Sequence, residues 1–384
     1  MIGEESDDLR EGVRQLCRRF PTEYWRRCDQ EKKYPEDFVG AMTEAGYLAA
    51  LIPEKYGGSG LGIHEASVIL EEINRAGGNA AQCHAQMYTM GTVLRHGSDA
   101  QKSWWLPGIA DGSIRLQAFG VTEPGAGSDT TQLETTARRK GSTYEIRGQK
   151  IFISRVQHSD YLLLLARTTP IDRVSRRTEG LSVLMVDLRN ALKHGLSVQP
   201  IDTMINHETN ALFFDDVPVP VEYLIGEEGE GFSYILDGLN AERILIAGEC
   251  LGDGYFFMDR STAYARERVV FGRPIGQNQG IQFPLARAYA HLRAADLMRV
   301  RAAERFDRQE PSGEDANLAK LLASEASWEA ANAAIQTFGG YGFATEYDIE
   351  RKFRETRLFQ VAPISTNLIL TYIGEHVLQL PRSY

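Results

Sequence analysis

The sequence of 384 residues has few cysteines and no obvious metal ligands. Its four cysteines, Cys17, Cys28, Cys83 and Cys250, lie far apart and form no C-x-x-C pair, a pattern typical of reduced thiols in a reducing compartment. The eight histidines form no H-x-x-x-H pair and no cluster with cysteine or aspartate at ligand spacing. We therefore expect neither a disulfide framework nor a bound metal.

Long apolar runs and an excess of positive charge are also missing. The longest apolar runs, such as residues 162–166, are far shorter than the roughly 18 residues that indicate a membrane span, and no signal-peptide apolar segment is present. The 42 basic and 52 acidic residues give a formal charge of -10, which argues against binding to nucleic acid or anionic lipid. We expect a soluble, cytoplasmic protein with no membrane or nucleic-acid partner.

The chain is long enough for two or three cooperating domains, and its patterning changes twice. Near the N-terminus apolar residues recur at steps of three and four, as on one face of a helix: Leu9, Val13, Leu16, Cys17 and Phe20. After Leu116, alternating residues or short apolar runs predict strands at 144–153, 161–165, 181–186 and 211–214. The first hundred residues are therefore expected to be mostly helical, and the segment after them to be rich in strands.

A second helical region is predicted after the glycine-rich connection GEEGEG at 226–231. Residues 232–266 and 316–336 carry helix-forming residues without proline, and the second run stops at Gly339-Gly340. We expect a mainly α fold with a central β domain. The predicted domains are an N-terminal helical domain at 1–115, a middle β domain at 116–226 and a C-terminal helical bundle at 227–384.

The stretch Val121 to Asp129, reading VTEPGAGSD, is the first candidate for chemistry. Its glycines let the backbone approach a ligand closely, while Thr122 and Ser128 supply hydroxyls beside free amide donors. Such a loop suits the polar edge of a cofactor. Taken alone, the string is more often a Pro-Gly turn between two strands.

Three further motifs follow in order: GQKIFIS at 148–154, RVVFGRPI at 268–275 with Gln279 after it, and QTFGGYG at 336–342. With these motifs the chain resembles the acyl-CoA dehydrogenase family from about residue 5 to residue 380. The resemblance implies a helical N-terminal domain, a middle β-barrel or sandwich and a C-terminal four-helix bundle. It also implies a homotetramer with one FAD in each subunit.

The resemblance assigns roles to individual positions. Those matching the family's flavin contacts are Phe119, Val121, Thr122, Phe152, Ile153 and Ser154, with Thr122 at the hydroxyl near flavin N5. Ser128 matches a contact shared by cofactor and thioester. The positions matching residues that reach the adenosine and pyrophosphate, commonly from a neighbouring subunit, are Arg268, Phe271, Gln279, Gln336, Gly339 and Gly340. An arginine makes charge-assisted bonds to a pyrophosphate, although a lone helical arginine is more often in a surface salt bridge.

The base for the α-proton of the thioester comes, in this family, from one of two glutamate positions. Here Pro363 occupies the position near the C-terminus, so that place holds no carboxylate. The other position, on the first long helix of the last domain, reads Leu239-Asn240-Ala241-Glu242-Arg243 and is similar to the isovaleryl and long-chain branch. Glu242 is therefore the expected catalytic residue, with Asn240 and Arg243 expected to bind substrate.

The residues themselves are compatible with this role but do not single out Glu242. Glu242 lies between the apolar runs 235–236 and 244–247, and partial burial makes a carboxylate a stronger base. The neighbouring Arg243 opposes that effect. Glu249 is a rival carboxylate on the same predicted helix, and a glutamate on a helix is most often a solvated partner in a charge pair.

Pro363 has a second consequence, because relatives hold the thioester carbonyl partly with a backbone N-H at this position. Proline has no N-H, and losing one such donor costs about a hundred- to a thousand-fold in rate. Either the backbone presents the amide of Ile364 instead, or the chemistry is altered. Ser365 and Asn367 still match polar flavin contacts, which favours a bound FAD.

The leading hypothesis is an FAD-dependent acyl-CoA dehydrogenase that forms a trans-2-enoyl-CoA and passes electrons to an electron-transferring flavoprotein. One alternative keeps the fold and flavin but uses oxygen, as a flavin oxidase or monooxygenase does. Another makes the chain a non-catalytic subunit of a mixed oligomer. The length and branching of the acyl chain depend on a pocket built from several helices, and no motif specifies them.

Overall fold

The computed structural model describes residues 4–382. The helices are α1 Glu4–Cys17, α2 Thr22–Gln30, α3 Glu36–Glu44, α4 Ile63–Arg75, α5 Ala81–His96, α6 Asp99–Asp111, α7 Leu188–Ala191, α8 Gly231–Glu267, α9 Gln279–Asp307, α10 Gly313–Phe338, α11 Ile349–Leu358 and α12 Thr366–Tyr372. The strands are β1 Ala118–Gly120, β2 Thr136–Lys140, β3 Thr143–Ser154, β4 Tyr161–Arg167, β5 Leu181–Asp187, β6 Leu196–Pro200, β7 Thr209–Pro220, β8 Leu224–Ile225, β9 Val269–Val270 and β10 Arg273–Pro274.

The predicted order of helices, strands and helices is confirmed. The apolar runs at 161–165, 181–186 and 211–214 form parts of β4, β5 and β7, and the two long helical runs lie inside α8 and α10. Helix α10 ends at Phe338, where Gly339 takes a positive φ of 60° that glycine adopts without strain. The N-terminal stripe is helical only as far as Cys17, so Phe20 lies beyond α1.

Strands β1 to β8 form one sheet with the order β6-β7-β3-β2-β4-β5-β8, and β1 pairs with β4. Most neighbours are antiparallel, while β4 is parallel to both β1 and β2. Six of the seven residues of β4, and six of the seven of β5, are buried. Burial on both faces explains why these strands appear in the sequence as continuous apolar runs rather than alternating ones.

The described residues divide into two compact units. One comprises the chain up to Glu31, Gly62–Ala80 and the part from Asn240 onward; the other comprises Lys32–Leu61 and Ala81–Leu239, including the sheet. In the first unit α8 packs closely on α4, because a Cβ at Gly248 or Gly252 would collide with backbone carbonyls of that helix. The segment of α8 from Asn240 onward is thus fixed by close helix packing.

Disulfide bonds, metal-binding clusters and membrane-spanning helices are all absent from residues 4–382. All four cysteines are free. In the same range, no group of histidine, cysteine, aspartate or glutamate side chains could hold a metal ion. No helix within that range is long and apolar enough to cross a membrane.

Candidate functional site

A buried ion pair between Lys150 and Glu123 anchors the loop Val121 to Asp129. The ammonium of Lys150, on β3, is fully buried and donates to the carbonyl of Val121 at 2.9 Å and to Oε1 of Glu123 at 2.8 Å. The Glu123 carboxylate also accepts the backbone N-H groups of Glu134 and Thr135 at 2.7 and 3.0 Å. The loop is therefore anchored at its first residues, while Gly125 and Gly127 are exposed.

An irregularity in β3 turns Phe152 outward beside this loop. The register between β3 and β7 shifts between Lys150 and Ile153, and Phe152 within that shift has a φ of 60° and is 61% exposed. Bulges of this kind redirect a side chain next to functional sites. The Ile151 amide donates to the carbonyl of Thr122 at 2.9 Å, which joins the loop to the irregular part of β3.

The other expected flavin contacts of this unit lie on the same elements with different exposure. Phe119 is on β1 and makes an edge contact with Tyr88 at 5.4 Å between ring centres. Ile153 is buried, while the Ser154 hydroxyl accepts from the Asn206 side-chain amide at 2.6 Å. Ser128 is exposed in the loop. The structure thus brings the VTEPGAGSD and GQKIFIS motifs together through Thr122 and Lys150.

In the other unit, helix α8 carries a buried group of polar residues around Glu242. The Glu242 side chain is 3% exposed, and the neighbouring Arg243 is also buried. Arg243 donates to Oδ1 of Asn240 at 2.7 Å. Burial lowers the pKa of Arg243 to about 10, against the opposing effect of the Glu242 charge and of Tyr372. Glu242 and Arg243 therefore lie in a low-dielectric environment, and the half-buried Asn240 is hydrogen-bonded to Arg243.

A buried lysine that the sequence analysis did not identify faces the same group. Lys320, on α10, is 0% exposed and donates to the carbonyl of Ile364 at 2.6 Å. Burial lowers its pKa to about 8, against the opposing effect of the Glu242 charge. The signal in the sequence is a single lysine in the alanine- and leucine-rich run 316–323, but a lysine there is equally compatible with an exposed helix face.

Glu249 is as deeply buried as Glu242, with 1% exposure. Its backbone carbonyl accepts the side-chain amide of Asn74 at 3.1 Å. Burial alone therefore does not choose between the two carboxylates. Their neighbours differ, because the charge of Glu242 acts on Arg243 and Lys320, whereas the charge of Glu249 acts on Cys250 and Asp253.

A groove of about 680 Å³ lies beside the RVVFGRPI and QTFGGYG motifs. Its lining includes Arg268, Gly339, Gly340 and Tyr341, and the Arg268 guanidinium lies 5.7 Å from the centre of the Tyr341 ring. A Cβ at either glycine would project into open space. An arginine, aromatic rings and bare backbone together fit an adenosine diphosphate group.

The remaining expected residues do not line the groove. Phe271 is fully exposed in the turn between β9 and β10, Gln279 begins α9, and Gln336 is exposed near the end of α10. Ser365 caps α12 by accepting the Leu368 N-H at 3.2 Å, and Asn367 is exposed in the first turn of that helix. Pro363, at a cis peptide bond, is exposed in the turn that precedes α12.

Three family models match the chain in succession. They are the acyl-CoA dehydrogenase N-terminal domain over residues 3–113, the middle domain over 118–217 and the C-terminal domain over 229–378. The chain therefore belongs to the acyl-CoA dehydrogenase family, and the expected fold is confirmed. It is an oxidoreductase that uses FAD to oxidise acyl-CoA.

Individual relatives agree with this assignment over nearly the whole chain. An acyl-CoA dehydrogenase of Mycobacterium tuberculosis is 35% identical over 99% of this chain and 98% of its own length. The mitochondrial short-chain specific acyl-CoA dehydrogenase of Rattus norvegicus is 33% identical over 99% and 92%. The solved structure of butyryl-CoA dehydrogenase from Megasphaera elsdenii is 28% identical, with a TM-score of 0.91 over 97% of this chain and 98% of that one.

Proposed function

We propose that the chain converts a saturated acyl-CoA to the trans-2-enoyl-CoA, with Glu242 as the base that takes the α-proton. The observation that carries this proposal is the Glu242 carboxylate, 3% exposed on α8 and influenced by the charges of Arg243 and Lys320. Burial removes water from a carboxylate, which makes it a stronger base for a proton on carbon. The resemblance supports the same residue, since Pro363 leaves the family's other position without a carboxylate.

The remaining residues bind and orient the reactants. The hydrogen bond from Arg243 to Asn240 fixes the guanidinium at the start of the buried part of α8, where we propose that both side chains hold the coenzyme A portion. Thr122, Ser128 and Phe152 are the proposed contacts to the isoalloxazine and the thioester. Bound FAD would supply the acceptor for the β-hydride. We propose that the Ile364 amide replaces the N-H that Pro363 lacks.

The wider assembly is proposed on the same basis. We propose that electrons leave to an electron-transferring flavoprotein, and that the chain forms a homotetramer in which a neighbouring subunit supplies the Arg268 groove to the cofactor. The segments 1–115, 116–226 and 227–384 are the proposed domains. By analogy with relatives whose base lies at the position of Glu242, we propose that the substrate has a branched or long acyl chain.

Replacement of Arg268 by alanine is expected to weaken FAD binding by about ten- to a hundred-fold, because a charge-assisted hydrogen bond contributes about 1.5–3 kcal/mol. The dissociation constant is measured by titrating the apoprotein with FAD and following flavin fluorescence. Arg266→Ala is the matched control, since Arg266 is exposed in the last turn of α8, two residues before Arg268, and does not line the groove. Equal affinities for the two variants would remove Arg268 from the cofactor site.

The experiment that tests the proposed function follows the fate of the electrons. The enzyme is reduced anaerobically by acyl-CoA and is then exposed either to oxygen or to an electron-transferring flavoprotein. The proposal predicts slow reoxidation by oxygen and rapid reoxidation by the protein acceptor. Rapid consumption of oxygen with formation of hydrogen peroxide or a hydroxylated product would instead establish a flavin oxidase or monooxygenase, and a chain that purifies without flavin and binds none would indicate a non-catalytic subunit.

A further inference from the structure

Lys320 connects helix α10 with the turn that precedes α12. Its ammonium is fully buried and bonds to the carbonyl of Ile364, the residue after Pro363. That turn is closed by a bond from the Thr366 amide to the carbonyl of Gln360 and leads directly into α12. Lys320 therefore restrains the middle of the turn, close to the Ile364 amide that we propose as the hydrogen-bond donor to the thioester carbonyl.

The charges around Lys320 come mainly from α8. Glu242 favours its charged form and Arg243 opposes it, while burial raises the pKa of the nearby Cys250 thiol and leaves it neutral. Further charges act on these neighbours: Glu249 and Asp253 on Cys250, and Tyr372 of α12 on Arg243. Glu242 is thus the carboxylate whose charge acts on Lys320 itself, and a positive charge on Lys320 attracts the Glu242 carboxylate in turn.

Lys352 is a second buried lysine in this unit, and its surroundings differ from those of Lys320. It is also fully buried, but its ammonium lies 2.6 Å from both Asp253 and Glu355 and donates to the carbonyl of Gly78 at 2.7 Å. Lys320 has no carboxylate at ion-pair distance in the part of the chain that the structure describes. A buried ammonium held by one carbonyl is costly to retain, and such groups are concentrated at functional sites.

We propose that Lys320 is a positioning residue for the dehydrogenation, fixing the Pro363 turn through the Ile364 carbonyl and keeping the Glu242 carboxylate ionised. The proposal rests on the proposed function of Glu242. It assigns two separable tasks to one side chain: a hydrogen bond that orders the turn, and a positive charge that lowers the proton affinity of the base. A residue with only a structural role would perform the first and not the second.

Two neutral variants separate these tasks. Lys320→Met removes both the charge and the hydrogen bond, whereas Lys320→Gln removes the charge but keeps a donor for the Ile364 carbonyl. Lys320→Arg keeps the charge. Cys250→Ala is the matched control, because it alters a buried neighbour of Lys320 without removing a positive charge. All four are compared as holoenzymes.

The first readout is the pH dependence of the limiting rate of flavin reduction by acyl-CoA. We expect the acid-side midpoint to rise by about one pH unit in the Met and Gln variants, as for loss of one nearby opposite charge, and to stay in place in the Arg and Ala variants. At a pH near the wild-type midpoint this shift lowers the rate several-fold. An unchanged midpoint in a folded Lys320→Gln enzyme would overturn the electrostatic part of the proposal.

Two readouts do not depend on turnover. Hydrogen exchange of residues 360–366 should accelerate in Lys320→Met and remain near wild type in Lys320→Gln; equal exchange in wild type and Lys320→Met would overturn the tethering part. The infrared band of the protonated carboxyl that disappears in Glu242→Gln should titrate at higher pH in both neutral variants. If Lys320→Met does not fold, the Gln and Arg variants still provide the comparison.

These outcomes are distinguishable from failure of the proposed function. If Glu242→Gln reduces its flavin as fast as wild type, Glu242 is not the base and the proposed function fails whatever Lys320 does. If Glu242→Gln is inactive but the neutral Lys320 variants keep the wild-type midpoint and infrared titration, only the role of Lys320 fails.

Discussion

Glu242→Gln is expected to lower the limiting rate of flavin reduction by acyl-CoA by about a hundred- to ten-thousand-fold. The amide has nearly the shape of the carboxylate but cannot take the α-proton, and a positioned base contributes about that factor. The rate is measured by mixing enzyme and substrate anaerobically and following the bleaching of the oxidised flavin. FAD content and thermal stability should stay close to those of the wild type, because the change preserves side-chain volume in a buried site.

Glu249→Gln is the matched control, since Glu249 lies on the same helix with 1% exposure against 3% for Glu242. It is expected to reduce its flavin within a few-fold of the wild-type rate. A large loss in Glu249→Gln together with normal reduction in Glu242→Gln would transfer the catalytic role to the rival carboxylate.

Lys150→Met is expected to destabilise the unit that contains the sheet by about 3–5 kcal/mol and to weaken FAD binding. Removing the ammonium leaves Glu123 as a buried charge without its cation, and breaking one side of a buried ion pair costs about that much. It also removes the bond to the Val121 carbonyl that anchors the loop beneath Thr122. Urea denaturation measures the free energy of unfolding, and titration of the apoprotein measures FAD affinity.

Lys140→Met provides the control with the same residue types and the same N-O distance in an exposed setting. The pair between Lys140 and Glu145 is also 2.8 Å long, but the Lys140 side chain is 74% exposed. Water screens such a pair, so its loss should change stability far less than the loss of the Lys150 pair does. Equal effects of the two substitutions would show that the Lys150 pair does not support the loop.

The effect of Lys150→Met should also depend on pH. Burial alone would raise the pKa of Glu123, but the charge of Lys150 and the hydrogen bonds to the carboxylate outweigh it and the pKa is lowered. In the wild type this contribution to stability is present above the unfolded value of about 4.3 and is lost as the pH falls through the lower folded value. In the variant the Lys150 charge is absent, so the folded-state pKa of Glu123 is higher than in the wild type and protonation removes the buried negative charge at a higher pH. The difference in stability between variant and wild type should therefore shrink as the pH falls from that higher pKa toward the lowered wild-type pKa.

The sequence alone predicts the order of helices and strands and the motifs that contain the expected site residues. The strand at 161–165 was predictable because a strand buried on both faces is a continuous apolar run. The helix at 316–336 was predictable because glycines follow it directly after Phe338. The motif around Thr122 could be recognised as a cofactor-binding motif in combination with three other motifs. These features are local, or depend only on the order of motifs along the chain.

The supporting groups were not predictable, because they depend on contacts between distant positions. Lys150 and Glu123 are 27 residues apart, and Lys320 and Ile364 are 44 apart. Nothing in either segment indicates that its lysine points inward rather than into water, where most lysines lie. The outward position of Phe152 likewise depends on the register of β3 against β7, which short-range patterning does not specify.

The most direct test of the central claim is a single anaerobic turnover of the purified enzyme with a panel of saturated acyl-CoA thioesters. Flavin bleaching and the thioester product are measured in the same mixture, by absorbance and by mass spectrometry. We expect that at least one thioester bleaches the flavin and yields one trans-2-enoyl-CoA, lighter by two hydrogens, for each flavin reduced. A flavin that stays oxidised with every thioester, or a product that carries added oxygen once air is admitted, would contradict it.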